Sequence, residues 1–208
     1  MVAVDTPACD LRALLSSPVL EVAPRLLGAV LRRGEVAIRL TEVEAYDGPN
    51  DPGSHAYRGM TARNAVMFGP AGHLYVYFTY GMHYCCNVSC GPDGHPSAVL
   101  LRAGTVVEGF DTVRERRPRS SERDLARGPA RLCQALAIDR ADNGTDLAAG
   151  PIRLEPADAP VGPVATGPRV GLRAAADRPW RFWLDGEPTV SRYVAAKPRK
   201  PRPSRRSP

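Results

Sequence analysis

The chain has 208 residues, 28 of them Lys or Arg and 22 Asp or Glu, a net charge of +6. That length suits one domain of ordinary size with a real core, and two domains would be cramped. The excess charge is local: residues 195–208 read AAKPRKPRPSRRSP, with six basic and no acidic residues, so residues 1–194 are formally neutral. We therefore expect a globular domain over 1–194 and a disordered, cationic Pro/Arg-rich tail over 195–208. Such a tail suits salt-sensitive phosphate binding or simply solubility. Both lysines, Lys197 and Lys200, lie in it, which excludes a buried lysine nucleophile from the body.

The N-terminus has early acidic residues, Asp5 and Asp10, and lacks a basic start followed by an apolar run, so a cytoplasmic protein is expected. Two short helices are predicted around 10–16 and 19–27, the second stopped at Gly28. Residues 29–33 and 36–45 read as strands joined by a tight Gly34-Glu35 turn, with Glu44 near the end of the second. The stretch 46–64, dense in Gly, Pro, Asn and Asp, reads as an irregular surface loop.

Residues 64–92 carry no Asp, Glu, Lys or Arg, but Gly69, Pro70, Gly72, His73, Gly81, His83 and Asn87 break any membrane-length apolar run. A buried sheet is the better account. Strands at 74–79, 84–90 and 98–103, with a turn at Tyr80-Gly81-Met82-His83, form an antiparallel meander. Helices are expected over 107–117 and, opened by Pro129, through 137, with a Ser121 cap between them. Short strands at 152–154, 169–172 and 181–184 close the pattern.

The five cysteines are an odd number and include no CxxC pair, so neither a disulfide framework nor a zinc site is indicated. Cys85 and Cys86, adjacent on a strand, should point to opposite faces. No metal or other cofactor is expected.

Six of the seven tyrosines lie between Tyr46 and Tyr84, along with three of the four histidines. Aromatic faces beside a carboxylate and imidazoles can hold a flat, electron-poor ring and move protons on it. Glu44 is either a solvated carboxylate or, at the mouth of an aromatic cleft, a base for water. Tyr75 and Tyr77 read as ordinary sheet residues, one facing the core and the other the opposite face. Tyr84 reads as a plain sheet residue, and no role is evident for Tyr57. His55 is either a loop-structuring or a binding residue. Tyr80 falls at a hairpin tip, where an exposed aromatic is costly unless it contacts something, and wedging between stacked bases is one such use.

Taken together, Thr41-Glu42-Val43-Glu44-Ala45-Tyr46-Asp47-Gly48-Pro49, Ser54-His55, Thr61-Ala62-Arg63-Asn64, Met67-Phe68, Gly72-His73-Leu74-Tyr75-Val76-Tyr77, Tyr80-Gly81-Met82, Asn87 and Val99-Leu100-Leu101-Arg102-Ala103 resemble the alkylpurine DNA glycosylase family, of the mammalian 3-methyladenine type. The likeness continues through Gly128–Leu136 and Pro168–Gly171 and spans roughly residues 12 to 193.

The resemblance implies an α+β fold, a single compact domain with a curved antiparallel sheet, surrounding helices and a protruding hairpin that enters the minor groove. It implies that Glu44 activates water and Arg102 helps hold it, that Tyr46, His55 and Tyr77 sandwich a flipped base, that Asn87 at the pocket floor disfavours guanine's amino group, and that Tyr80 intercalates. Ala62, where related sequences commonly carry proline, is a departure touching only loop rigidity.

The expected partner is double-stranded DNA containing damaged purines, met by a monomer that leaves an intact abasic site. A non-catalytic damage-binding protein is the alternative, and it would not need Glu44. A nucleoside hydrolase would need an aspartate cluster that the chain lacks.

Overall fold

A computed structural model describes residues 10–92, 94–157 and 161–197. Asp10 caps the first helix, α1 (Leu11–Leu15), its carboxylate accepting the Arg12 N–H at 3.0 Å. There follow α2 (Val19–Arg25), β1 (Val30–Arg33), β2 (Val36–Tyr46), β3 (Leu74–Thr79), β4 (His83–Cys90), β5 (Ser97–Glu108), α3 (Phe110–Arg116), α4 (Pro129–Ala135), β6 (Ile152–Glu155), β7 (Val164–Gly167) and β8 (Arg181–Leu184).

Every strand pairing is antiparallel, and the sheet runs β3-β4-β5-β2-β1-β6, with β8 also on β2 and β7 on β8. This is the expected α+β fold: one curled antiparallel sheet carrying a few helices. β2 is its hinge. Along one edge it pairs with β1 through Arg39, then with β8 from Glu42 to Glu44. Register shifts between Leu40 and Val43 mark the handover, because a bulge bends a strand and increases its twist.

Period-2 alternation sorts the sheet into two faces. Val43 and Ala45, Leu74 and Val76, Cys86 and Val88, and Val99 and Leu101 point into the main core, under Leu15, Val22, Leu26 and Leu132 of the helices. The opposite face carries Glu42, Glu44 and Tyr46, Tyr75 and Tyr77, Cys85 and Asn87, and Leu100 and Arg102. There Ala56, Met67, Tyr75 and Ala98 form a second, smaller cluster with Tyr77 beside it.

Several expectations need correction. Tyr75 and Tyr77 are two apart and so share a face; their rings are 5.6 Å apart at a 31° tilt. β5 runs on to Glu108 and consumes the predicted start of the third helix. The strand expected at 169–172 lies at Val164–Gly167 instead: β7 is framed by Pro163 and Pro168, and Val170 and Gly171 turn over the sheet. Ser121 stands at an N-cap position but makes no side-chain cap bond.

Cys85, Cys86, Cys90 and Cys133 are unpaired thiols, and Cys9 lies outside the described residues. Among the described residues no helix is long and apolar enough to cross a membrane, and no group of three metal-ligating side chains is found.

Candidate active site

Register builds the site. Tyr75 faces Asn87, Asn87 faces Leu100, Leu100 faces Glu44 and Glu44 faces Arg181, so one row crosses five strands from an aromatic end to a charged end. Above it opens a cleft of about 860 Å³ lined by Glu44, Tyr46, His55, Tyr75, Tyr77, Tyr80, Asn87 and Arg102 among others. All seven residues named as site residues from the sequence meet in this cleft. Tyr75, assigned there to plain sheet packing, joins them.

Glu44 is wholly buried. Its Oε1 accepts the Val170 N–H at 2.6 Å and faces Arg102 Nη1 at 3.4 Å, while its Oε2 accepts the Tyr46 hydroxyl at 2.8 Å. A carboxylate so held has a fixed orientation, with two hydrogen-bond donors and a nearby guanidinium to offset its lost hydration. Burial, reinforced by the neighbouring Glu44 charge, pushes the Tyr46 phenol well above its ordinary range, so Tyr46 stays a donor.

His55, on the loop after β2, meets Tyr77 edge to face with ring centroids 4.7 Å apart, and its Nδ1 is 3.0 Å from the Tyr75 hydroxyl. Burial, with the Arg63 charge added, lowers His55 to about 4, so the ring is neutral at physiological pH. Burial also raises Tyr77 and Tyr75, and it raises Cys85 to about 11. The aromatic end is thus an uncharged slot, with Arg63 5.3 Å from the Tyr77 ring centre. Asn87, buried between the two ends, donates through Nδ2 to the Tyr75 carbonyl at 3.1 Å.

Sequence reasoning missed the residues that hold this arrangement. Arg169 is fully buried, donates through Nη2 to Asp51 at 2.8 Å and through Nη1 to the Ala45 carbonyl at 2.8 Å, and lies 4.6 Å from the Tyr46 ring centre. The backbone of the next residue, Val170, then reaches Glu44. Arg102 donates through Nε to Glu42 at 2.8 Å, and Arg181 donates to the same oxygen at 2.7 Å. Glu42 had a signal in the sequence: two residues before Glu44 on a strand, it shares its face, and Arg169 lies in the Pro168–Gly171 segment of the resemblance but carried no assigned role. Arg169 and Arg181 sit over 100 residues from their carboxylates, so no local pattern shows which acid either one holds.

The C-terminal strap is the other surprise. Gly171 N–H donates to the Val194 carbonyl at 2.8 Å and Arg173 Nε to the Lys197 carbonyl at 3.2 Å, so Val194 to Lys197 line the cleft rim. Residues 198–208 of the expected tail lie outside the described residues.

At the far rim, the β3–β4 turn presents Tyr80 at 86 % exposure, with φ of 51°. A left-handed backbone at a bulky residue is strained, and such strain gathers at functional sites.

Comparison with known proteins points the same way. A family model for methylpurine-DNA glycosylase matches residues 13–188. A Streptomyces avermitilis protein named, provisionally, as a 3-methyladenine DNA glycosylase is 56 % identical over 202 residues, covering 92 % of this chain and 94 % of its own. Similarly named proteins of Nocardia farcinica and Burkholderia lata are 59 % and 49 % identical, covering 86 % and 89 % of this chain and 88 % and 92 % of their own.

Proposed function

The chain belongs to the methylpurine-DNA glycosylase family, and we propose that it flips alkylated purines out of duplex DNA and hydrolyses their N-glycosidic bond with a water activated by Glu44. It is a DNA glycosylase by family, a hydrolase of N-glycosidic bonds that opens base excision repair.

Alkylation at N3 or N7 puts positive charge on a purine, which weakens the bond to C1′ and favours stacking against tyrosine faces. In this reading the extruded base enters between Tyr46 on one side and His55 with Tyr77 on the other. Tyr80 fills the stack it leaves. The C1′–N bond breaks first, and the sugar gathers positive charge beside the buried Glu44 carboxylate. With the bond electrons already on the departing base, a water lying against Glu44 and Arg102 gives its proton to Glu44 as its oxygen bonds to C1′. The products are a free purine and an abasic site.

Neutral purines such as hypoxanthine leave less readily and need a proton or a specific hydrogen bond, so we expect slower release of them. Asn87 is assigned the rejection of guanine's amino group. With lysine absent from the body, strand cleavage through a Schiff base is not expected, and Lys197 at the rim is the residue to watch.

The observation that carries this reading is Glu44 itself: a fully buried carboxylate, held by Tyr46 and Val170, closing the floor of an aromatic cleft. A structural carboxylate has no need of the open cleft above it. Base release from duplex DNA carrying 7-methylguanine, 3-methyladenine or hypoxanthine tests it. The wild type should release alkylated bases, and Glu44→Gln should be slower by about 10²- to 10⁴-fold, the usual contribution of a general base. Equal release by both would remove Glu44 from the chemistry. Tight binding without release by either would make the protein a damage binder.

A further inference from the structure

We infer that Glu42 is a positioning residue for the reaction, holding Arg102 by its Nε edge so that the guanidinium faces Glu44 without closing a two-point ion pair on it. The inference rests on the catalytic reading of Glu44 given above.

Arginine and a carboxylate left alone form a bidentate pair at 2.7–2.9 Å, roughly, and such a pair consumes both carboxylate oxygens. Between Arg102 and Glu44 this does not happen. Their nearest approach is a single 3.4 Å contact to Oε1, and Oε2 keeps only the Tyr46 hydroxyl.

The reason lies two residues upstream. Glu42, fully buried, takes Arg102 Nε at 2.8 Å, Arg181 Nε at 2.7 Å and the Ser191 hydroxyl at 2.9 Å on one oxygen, and the Ser191 N–H at 2.6 Å on the other. Arg102 Nη2 meets the Ser191 hydroxyl at 3.3 Å, so the guanidinium is gripped along the side turned away from Glu44.

Charge follows the same division. Two carboxylates and two guanidiniums share the buried cluster, with Arg181 balancing Glu42 and Arg102 left between the two acids. Burial alone would raise the Glu42 carboxyl, but Arg102 and Arg181 hold it below its ordinary range. Glu42 therefore stays anionic and keeps its grip. Removing its charge frees Arg102 to swing onto Glu44, which both weakens Glu44 as a base and moves the group that holds the water.

The test compares full-length Glu42→Gln with Glu42→Asp and the wild type. It measures single-turnover base release with enzyme in excess, and affinity for duplex carrying a tetrahydrofuran abasic-site analogue. The expected result for Glu42→Gln is release slowed by about 10- to 100-fold, the scale of a misplaced catalytic group, with affinity within about twofold of wild type. Glu42→Asp, which restores the charge, should recover a large part of the rate.

Release by Glu42→Gln at the wild-type rate would overturn the assignment, as would a loss of release no greater than its loss of affinity. Should Glu42→Gln not fold, Ser191→Ala decides. Slower release at unchanged affinity supports the assignment, and wild-type release defeats it. Glu44→Gln run alongside separates the two readings: an active Glu44→Gln fails the catalytic reading, whereas an inactive Glu44→Gln with an active Glu42→Gln fails only this one.

Discussion

At the closed end of the cleft Glu42, Glu44, Arg102 and Arg181 are buried to 6 % exposure or less, and each is tied to another charge or a backbone group. At the open end the β3–β4 turn leaves Phe78, Tyr80 and Met82 at 48 %, 86 % and 66 % exposure, on a strained backbone. The closed end is preorganised: its charges were desolvated during folding, so little rearrangement remains when a substrate arrives. The open end is unfinished, and its apolar surface gains only when something covers it. Covering a tyrosine's roughly 150 Å² at about 25 cal/mol per Å² is worth some 3 to 4 kcal/mol. That matches the few kcal/mol that extruding a nucleotide costs. We read the pair as chemistry prepared in the interior and damage search at the rim.

The sharpest way to break this contrast is to damage the interior away from the reacting groups. Asp51→Asn leaves the Arg169 guanidinium buried and unpaired, and should cost about 3 kcal/mol or more in urea unfolding. Because Arg169 packs on Tyr46 and precedes Val170, base release should fall with it. A stable, fully active Asp51→Asn would mean that the closed end is not a rigid unit.

At the rim the opposite outcome is expected. Tyr80→Gly relieves a positive φ costing about 1 to 2 kcal/mol, so its thermal midpoint should not drop below wild type. Its release of bases from duplex should nevertheless fall by about 10- to 100-fold, since the vacated stack stays empty. A loss of stability with unchanged release would reverse the roles assigned to the two ends.

The aromatic slot between them is tested by acid. His55 folds with a pKa near 4 against the ordinary 6.5. The unfolded chain therefore binds the extra proton first, and stability contributed by neutral His55 is complete above about pH 6.5 and lost as pH falls toward 4. Urea midpoints of wild type and His55→Gln, followed across that window, should show wild type losing more on acidification. Parallel curves would put His55 in water.

The smallest effect concerns the strap. Cutting after Lys197 removes five basic residues while keeping the backbone bonds to Gly171 and Arg173. The slope of log affinity for undamaged duplex against log salt should flatten, by at most about 4.5 units if every charge meets a phosphate. Single-turnover release should not change. An unaltered slope would make the arm a solvated tail.

Much of the fold was legible because its signals are local. The Gly34-Glu35 turn and the alternation from Leu74 to Cys90 mark strands through backbone sterics and side-chain period alone. The main errors came where a neighbour overrode local preference. β7 sits at 164–167 because β8 offers it a partner, and the stretch after Pro168 is drawn over the sheet by Arg169 and Val170.

By itself the sequence determined the residues of the cleft wall, Glu44, Tyr46, His55, Tyr77, Asn87 and Arg102, and the turn that lifts Tyr80, because these fall in short motifs whose order can be read. Only the tertiary structure decided which carboxylate is gripped and which faces the cleft, and that Arg102 and Arg181 converge on Glu42 while Arg169 holds Asp51. Buried ion pairs join residues distant in the chain, and their geometry is set by which strands come to share an edge.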